Sequence, residues 1–397
     1  MSNISSKRNV KIELIRIFAC ILVIWYHIRL LPWNVYGELR ETAVLFESIC
    51  TVCVVTFFLI TGFFIYDRKG SLIDNWLYYL KSFFIKIFPP FVVVSIICII
   101  FHDYLISIAT FSECLRNISI EKICSSLLAS FSSFSTESLP GTAAHLWYVY
   151  SYFYIILVYP VTYLILKKAP EAFTYVVLIT ITILMILNDY YSYYGDSIYY
   201  KFFEIVRKPV YYSAVGYVLY HKIMKPMVDA RTSESIDKKE LIINKKLFVL
   251  SIIIYIVTFI LLYKTQVGYY LGTNNGYVYT SWLSLYSLIL SICFVLIIYN
   301  INVDLFVSEK VKKAILFVSS KTLGIYLIHY LIIAKLVSIG FQEFFTKKLP
   351  TVFHHFVYNV FYSAFIFTVS FVIIVIIDFI KDKIVGGLYV FKEKRLS

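Results

Sequence analysis

Long apolar runs separated by short polar segments cover the chain, and most of them are long enough to cross a bilayer as a helix. Clusters of lysine, arginine, proline and glycine bound these runs, as expected between helices. The pattern predicts an all-α, polytopic membrane protein with about ten transmembrane helices. The predicted spans are residues 12–31, 43–66, 83–101, 145–166, 172–188, 205–221, 247–263, 278–300, 314–336 and 356–380.

The distribution of lysine and arginine predicts the orientation of these spans. If the N-terminus is cytoplasmic, the inner segments carry more than twice as many basic residues as the outer segments, and cytoplasmic loops are the basic ones in membrane proteins. We therefore expect an N-in, C-in protein with the loop 101–144 outside. The first span has no small-residue cleavage site after it, so it is expected to stay as an anchor. Residues 1–397 are expected to form a single integral membrane domain, with no appended extracytoplasmic domain.

Composition limits the function classes further. Hydrophobic residues make up 60% of the chain and charged residues only 15%, which is too apolar for a soluble fold of this size. Membrane lipids are therefore expected partners. The net charge of +13 is scattered over short loops rather than gathered on one face, so nucleic-acid binding is not expected.

The cysteines suggest packing rather than redox chemistry. Cys50 and Cys53 have the spacing of a redox or zinc pair, but they lie in an apolar run with no second pair or nearby histidine, so small core residues are expected there. Cys114 and Cys124 share the outer loop, where a disulfide between them is an open alternative.

Arg16 and His27 lie within the first apolar run, where ionisable side chains are costly and usually functional. Eleven helical steps of about 100° return to within about 20° of the same face, with a rise of about 16 Å. The two side chains are thus expected on one stripe at two depths, the layout of a transmembrane reaction path. Glu13 precedes Arg16 by one turn and is expected to orient its guanidinium by an i, i+3 pair.

Two further segments carry both a structural and a functional interpretation. Thr61 and Gly62 end the second span in a pattern typical of close helix packing in lipid. Lys81 and Lys86 precede the Pro89-Pro90 pair at the predicted cytoplasmic face. They are either a positive-inside anchor or a cradle for a polyphosphate ligand that enters from the cytoplasm.

Two histidines resemble His27 in their predicted depth. His145 opens the fourth predicted span beside Trp147, and His329 follows Tyr326 in the ninth. The aromatic residues fit an interfacial belt, and a single intramembrane histidine is satisfied by a neighbouring carbonyl. Three histidines in the outer half favour a functional cluster, but no pair has a ligand-type spacing, so no metal site is predicted.

Taken in order, these segments resemble the acyltransferase-3 family, integral membrane acyltransferases that commonly O-acetylate bacterial surface glycans. The resemblance rests on Glu13, Arg16 and His27, on Phe57-Phe58-Leu-Ile-Thr61-Gly62-Phe63, on Lys81 to Pro89, on His145-Leu-Trp147-Tyr148 and on Gly324-Ile-Tyr326-Leu-Ile-His329. The chain departs from the family where arginines are common, at Lys81, Ser82 and Lys86. A lysine ammonium group cannot make the two parallel hydrogen bonds that an arginine guanidinium makes to a phosphate. We therefore expect a less strictly oriented phosphate contact at these positions.

The resemblance implies a multi-pass acyltransferase of the bacterial cytoplasmic membrane that uses an acyl-CoA, most commonly acetyl-CoA, as donor. It implies catalytic roles for His27, Arg16 and Glu13, and donor binding by Lys81, Lys86 and Arg16. His145, Trp147, Tyr326 and His329 would position the acceptor, a hydroxyl of a surface polysaccharide or of a lipid-linked glycan.

Three alternatives stay open at this point. A secondary transporter also places charges within its helices, although no paired Gly/Pro-broken segments appear in matching halves of this sequence. A non-enzymatic partner in glycan export needs basic loops and aromatic belts, but no histidine at a fixed helical offset. An acyltransferase of the same family can also act on a small-molecule acceptor.

Overall fold

The computed structural model describes residues 8–28, 40–133, 135–191, 200–227, 241–270, 284–341 and 352–396. These residues are mostly helical, and the described part contains no β-strand, only an isolated bridge between Ile242 and Ile301. The helices are α1 (Val10–Ile28), α2 (Arg40–Cys50), α3 (Val52–Ile65), α4 (Leu72–Ser82), α5 (Phe88–Leu105), α6 (Phe111–Arg116), α7 (Ile120–Ser133), α8 (Trp147–Lys167), α9 (Glu171–Tyr191), α10 (Tyr200–Val218), α11 (Lys245–Tyr270), α12 (Leu285–Asn300), α13 (Glu309–Ser319), α14 (Thr322–Ser338) and α15 (Val352–Leu396). The all-α prediction is confirmed.

Each predicted apolar run falls on one helix or on two consecutive helices; residues 29–31 and 278–283 lie outside the described part. Within that part, five helical stretches are long and apolar enough to cross a membrane, or six if the bent pair α13 and α14 is one span. The apolar stretch of α1 is interrupted by Lys11, Glu13 and Arg16. The protein is thus a polytopic helical membrane protein, while the count of ten and the orientation stay predictions.

The third predicted span begins much earlier than residue 83. Ser71 caps α4 by accepting a hydrogen bond from the Asp74 backbone N–H, and α4 continues through a π-helical segment, Phe83–Ile87, into α5. Pro89 and Pro90 lie in the first turn of α5, where a missing backbone N–H is tolerated. The sequence predicted a span that starts at residue 83, whereas the helical stretch starts at Leu72 and runs through the π segment and both prolines.

Small residues bring α3 and α10 into backbone contact. A Cβ atom on Gly62 would lie 1.8 Å from the Ser213 carbonyl oxygen, and one on Gly216 would lie 2.3 Å from that of Leu59. Because no side chain fits at either position, glycine lets the two helices approach as closely as small residues allow in lipid. This packing confirms the structural interpretation of Gly62, and α3 separately contacts α1.

A break between α13 and α14 bends the chain by 60°. It follows Ser319 and contains neither glycine nor proline, so the sequence search for interrupted spans did not detect it. Lys321 in the break pairs with Asp378 of α15 at 2.5 Å. The bend brings the C-terminal end of α13 against α1.

The seven cysteines all lie within the described residues, and none of them forms a disulfide bond. Cys50 and Cys53 are buried, as expected for core residues. Cys114 is buried while Cys124 is exposed, and the disulfide considered between them does not form.

Candidate active site

A buried carboxylate organises the first turns of α1. Glu13 is only 4% exposed, and its two oxygens accept hydrogen bonds from Arg8 Nε at 2.9 Å and from Arg16 Nη1 at 2.5 Å. Ser319 Oγ donates to the same carboxylate. The structure therefore contains the expected i, i+3 pair of Glu13 and Arg16, and it adds Arg8 and Ser319 as partners.

The network around Glu13 joins α1 to the helix break. Arg8 Nη1 also donates to the Leu316 carbonyl oxygen at 3.2 Å, near the C-terminal end of α13, where cations are favoured. A buried charge is tolerated only when it is paired and hydrogen-bonded, and Glu13 satisfies this with two guanidinium groups. Two cations share one carboxylate here, so the cluster keeps an excess positive charge.

Arg16 also lines an open cavity of about 270 Å³ between α1, α3, α4 and α8. The other lining residues are Phe57, Ile60, Thr61, Phe64, Ile65, Tyr79, Tyr148 and Tyr152. Arg16 is the only charged side chain among them, and the walls are aromatic and aliphatic. Such a cavity suits an extended ligand with an apolar body and one polar group that faces the guanidinium.

Three histidines from distant parts of the sequence meet at the other end of α1. The ring centroid of His27 lies 5.3 Å from that of His329 and 6.3 Å from that of His145, and the His145 and His329 rings are 5.1 Å apart. Tyr330 completes the group, since its ring stacks on His145 at 5.3 Å and lies 5.1 Å from His27. The structure thus brings together the three histidines for which the sequence predicted only a similar depth.

Backbone acceptors determine which ring nitrogen of His145 and His329 carries a proton. His145 Nε2 lies 3.0 Å from the Leu327 carbonyl oxygen, and His329 Nδ1 lies 2.7 Å from that of Tyr326. A carbonyl oxygen only accepts, so these nitrogens carry the N–H groups. In a neutral His329 ring, the lone pair is then on Nε2, which is buried and has no hydrogen-bond partner among the described residues. That nitrogen is free to accept a proton or a hydrogen bond.

Aromatic side chains connect the Arg16 cavity to the histidines. Tyr148 lines the cavity, and its ring lies 5.5 Å from that of Tyr326. The Tyr326 ring in turn lies 5.8 Å from both His145 and His329, and its hydroxyl donates to the His145 carbonyl oxygen. The helical rise from Arg16 to His27 is about 16 Å, so the cavity and the cluster lie at two depths along one helix.

The remaining predicted site residues lie elsewhere. The Trp147 ring packs against Phe58 at 6.3 Å and against Tyr148 at 6.4 Å, toward α3. Lys81 and Lys86 are exposed, and neither lines the Arg16 cavity. Among the described residues, no three His, Cys, Asp or Glu side chains are arranged to hold a metal ion.

Sequence reasoning missed Arg8, Ser319 and Tyr330. Only Tyr330 had an available signal, because it directly follows His329. Arg8 precedes Glu13 by five positions, which is not the i, i+3 or i, i+4 spacing of residues that face each other on a helix. Ser319 contacts Glu13 only because the chain bends between α13 and α14.

A family model described as an acyltransferase domain, the acyltransferase-3 model, matches residues 9–377. This match covers nearly the whole chain, and the chain belongs to the acyltransferase-3 family. No curated protein and no solved structure showed a significant match. The family, together with the apolar helices, identifies a membrane acyltransferase.

Proposed function

We propose that this protein transfers an acetyl group from cytoplasmic acetyl-CoA to a hydroxyl of a surface polysaccharide or a lipid-linked glycan, in the bacterial cytoplasmic membrane. The observation that carries the proposal is the connection of the Arg16 cavity to the histidine cluster through Tyr148 and Tyr326. A donor site and a basic site within one membrane domain are what such a transfer requires.

The cavity supports a role in donor binding. Its aromatic and aliphatic walls suit the pantetheine arm of the donor, and Arg16 provides a hydrogen-bond donor for the thioester end as it passes. The Glu13 carboxylate holds the guanidinium in place at 2.5 Å. The resemblance assigns the phosphates of CoA to Lys81 and Lys86, which are exposed and lie outside the cavity lining.

The cluster supports general-base chemistry at His27. His27 accepts the proton of the acceptor hydroxyl while the hydroxyl oxygen forms a bond to the thioester carbonyl carbon. The C–S bond then breaks, and His27 returns the proton to the CoA thiolate. In a second version of the same transfer, an imidazole nitrogen bonds to the thioester carbonyl carbon, the C–S bond breaks and CoA leaves as the thiol with the imidazole proton. The acceptor hydroxyl oxygen then takes the acyl group as the C–N bond breaks, and its proton returns to the imidazole.

The acceptor would bind on the side of the cluster opposite the Arg16 cavity. The rings of His145 and His329 lie 6.3 and 5.3 Å from that of His27, and the Tyr326 ring lies 5.8 Å from both, which supports a role for these side chains in positioning the acceptor hydroxyl. Trp147 would contribute from the α3 side. We place the acceptor in the cell envelope because the cluster is predicted to lie in the outer half of the membrane.

The test uses purified protein in lipid nanodiscs with acetyl-CoA that is radiolabelled in the acetyl group. We expect thioester loss and a labelled, base-labile ester on the glycan acceptor, both abolished in His27→Gln. A labelled small alcohol instead of glycan ester would indicate the small-molecule alternative. If the thioester stays intact with every acceptor tested, the protein is not an acetyltransferase. The transporter or export-partner interpretation would then apply.

A further inference from the structure

The turn between α3 and α4 lies next to the Arg16 cavity. Ile65, the last residue of α3, lines that cavity three residues before Arg68. On the other side, Tyr79 of α4 lines it, next to Tyr78. The guanidinium carbon of Arg68 lies 3.6 Å from the centre of the Tyr78 ring. Arg68 therefore reaches from the turn to the helix that forms one wall of the cavity.

The backbone of this turn is fixed by a buried asparagine. Asn75 Nδ2 donates to the carbonyl oxygens of Arg68 at 3.0 Å and of Gly70 at 3.5 Å. Gly70 has a φ of +129°, which side chains rarely adopt, and a Cβ there would lie 3.2 Å from Asn75 Oδ1. The Asp67 N–H donates to the Phe64 carbonyl oxygen at 3.1 Å. The turn thus holds its shape while the side chains of Arg68 and Lys69 are exposed.

The local charge favours an anion. Arg68 and Lys69 are cationic, and the acidic residue of the turn, Asp67, faces Lys167 Nζ at 3.5 Å and His221 Nε2 at 3.8 Å. Lys81, by contrast, is two residues after Tyr79, a rotation of about 200° in a helix, so it points away from the cavity wall. Arg68 is therefore better placed than Lys81 for a ligand that leaves the cavity.

We infer that Arg68 and Lys69 bind the pyrophosphate of the acyl-CoA donor, an inference that rests on the proposed function. The pyrophosphate is attached directly to the pantetheine arm, so it leaves the cavity first, while the 3′-phosphate lies further out on the ribose. A guanidinium held over a tyrosine ring still has N–H groups for phosphate oxygens, which arginine binds in a bidentate manner.

The experiment compares three donors: acetyl-CoA, acetyl-dephospho-CoA, which lacks only the 3′-phosphate, and S-acetylpantetheine, which lacks all phosphates. Arg68→Gln/Lys69→Gln should raise KM about tenfold or more for the first two donors and leave KM for S-acetylpantetheine unchanged. Arg68→Lys should recover part of the loss. Lys313→Gln, which removes an exposed lysine of α13, should change none of the three values.

Each outcome has one meaning. A wild-type protein that transfers acetyl from none of the donors refutes the proposed function itself. If the wild type is active, an equal rise in KM for S-acetylpantetheine overturns the inference, because the turn then acts only through structure. A rise in KM for acetyl-CoA but not for acetyl-dephospho-CoA also overturns the inference, because the two side chains then contact the 3′-phosphate and not the pyrophosphate. If the double variant has unchanged KM values for all three donors, the inference is wrong, and Arg68 and Lys69 act only as cations at the membrane surface.

Discussion

Replacement of His27 by glutamine tests the proposed chemistry most directly. Glutamine keeps a polar side chain of similar reach, but it cannot accept a proton, and general-base catalysis contributes about 10²- to 10⁴-fold to rate. This range corresponds to about 2.7–5.5 kcal/mol of activation free energy. The substitution leaves the Arg16 cavity unchanged, so KM for acetyl-CoA should stay close to the wild-type value while kcat falls.

The neighbours of His27 determine where in this range the loss should lie. His329 is 5.3 Å away between ring centroids, and its buried Nε2 has no hydrogen-bond partner in the part of the chain that the structure describes, so it can accept the hydroxyl proton in part when His27 is absent. We therefore expect His27→Gln to lower kcat about 10²-fold, and His27→Gln/His329→Gln to approach 10⁴-fold. His329→Gln and His145→Gln alone should reduce kcat less than His27→Gln does.

The assay measures acetyl ester on the glycan, normalised to protein inserted in the membrane. His354→Gln provides the matched control, because it makes the same substitution at an exposed histidine of α15 and should retain wild-type activity. Near wild-type ester in His27→Gln would refute the role of His27 as base or acyl carrier. If His329→Gln were more damaging than His27→Gln, His329 would be the base, and the assignment within the cluster would have to be exchanged.

Three other predictions concern the network, the donor and the topology. Glu13→Gln should lower kcat about tenfold or more, because Arg16 loses its paired carboxylate, while expression in the membrane is measured in parallel. Lys81→Ala/Lys86→Ala should raise KM for acetyl-CoA more than it lowers kcat, and an unchanged KM would make both lysines anchors. A cysteine at Ser133 should react with an impermeant maleimide in intact cells, whereas one at Ser235, outside the described residues, should not; the reverse pattern would overturn the N-in orientation.

The sequence predicted helices far better than it predicted which faces pack. Every apolar run lies on helix, because long apolar stretches bounded by polar residues have few alternatives in a bilayer. In lipid, however, the packed face and the lipid-facing face are both apolar. Ile15 is fully buried and Ile253 is 53% exposed, yet nothing in their residue type separates them. The contacts of α3 with α10, or of α13 with α1, therefore could not be predicted from the pattern.

The candidate site was predictable where it depends on one helix and unpredictable where it depends on several. The pairing of Glu13 with Arg16 follows from helical spacing alone, and the structure contains it at 2.5 Å. The meeting of His27 with His145 and His329 requires three helices in register, so the sequence indicated only a shared depth. The direction of Lys81 depends on where α4 begins, which the Ser71 cap determines and the sequence interpretation placed too late.

The partners of Glu13 show how a remote break in a helix can affect chemistry at Arg16. Arg8, with its side chain 31% exposed, pairs with Glu13 from outside α1, whereas Ser319 reaches the carboxylate from the end of α13. Because Arg8 is partly solvated, its ion pair contributes less than a buried one, and Ser319 is the more restrictive contact. Ser319 donates to the same oxygen, Glu13 Oε2, that binds Arg16, so the position of the bend after Ser319 affects that ion pair directly. A change that straightens this bend would release Glu13 and with it the orientation of the guanidinium in the cavity, without touching the histidines.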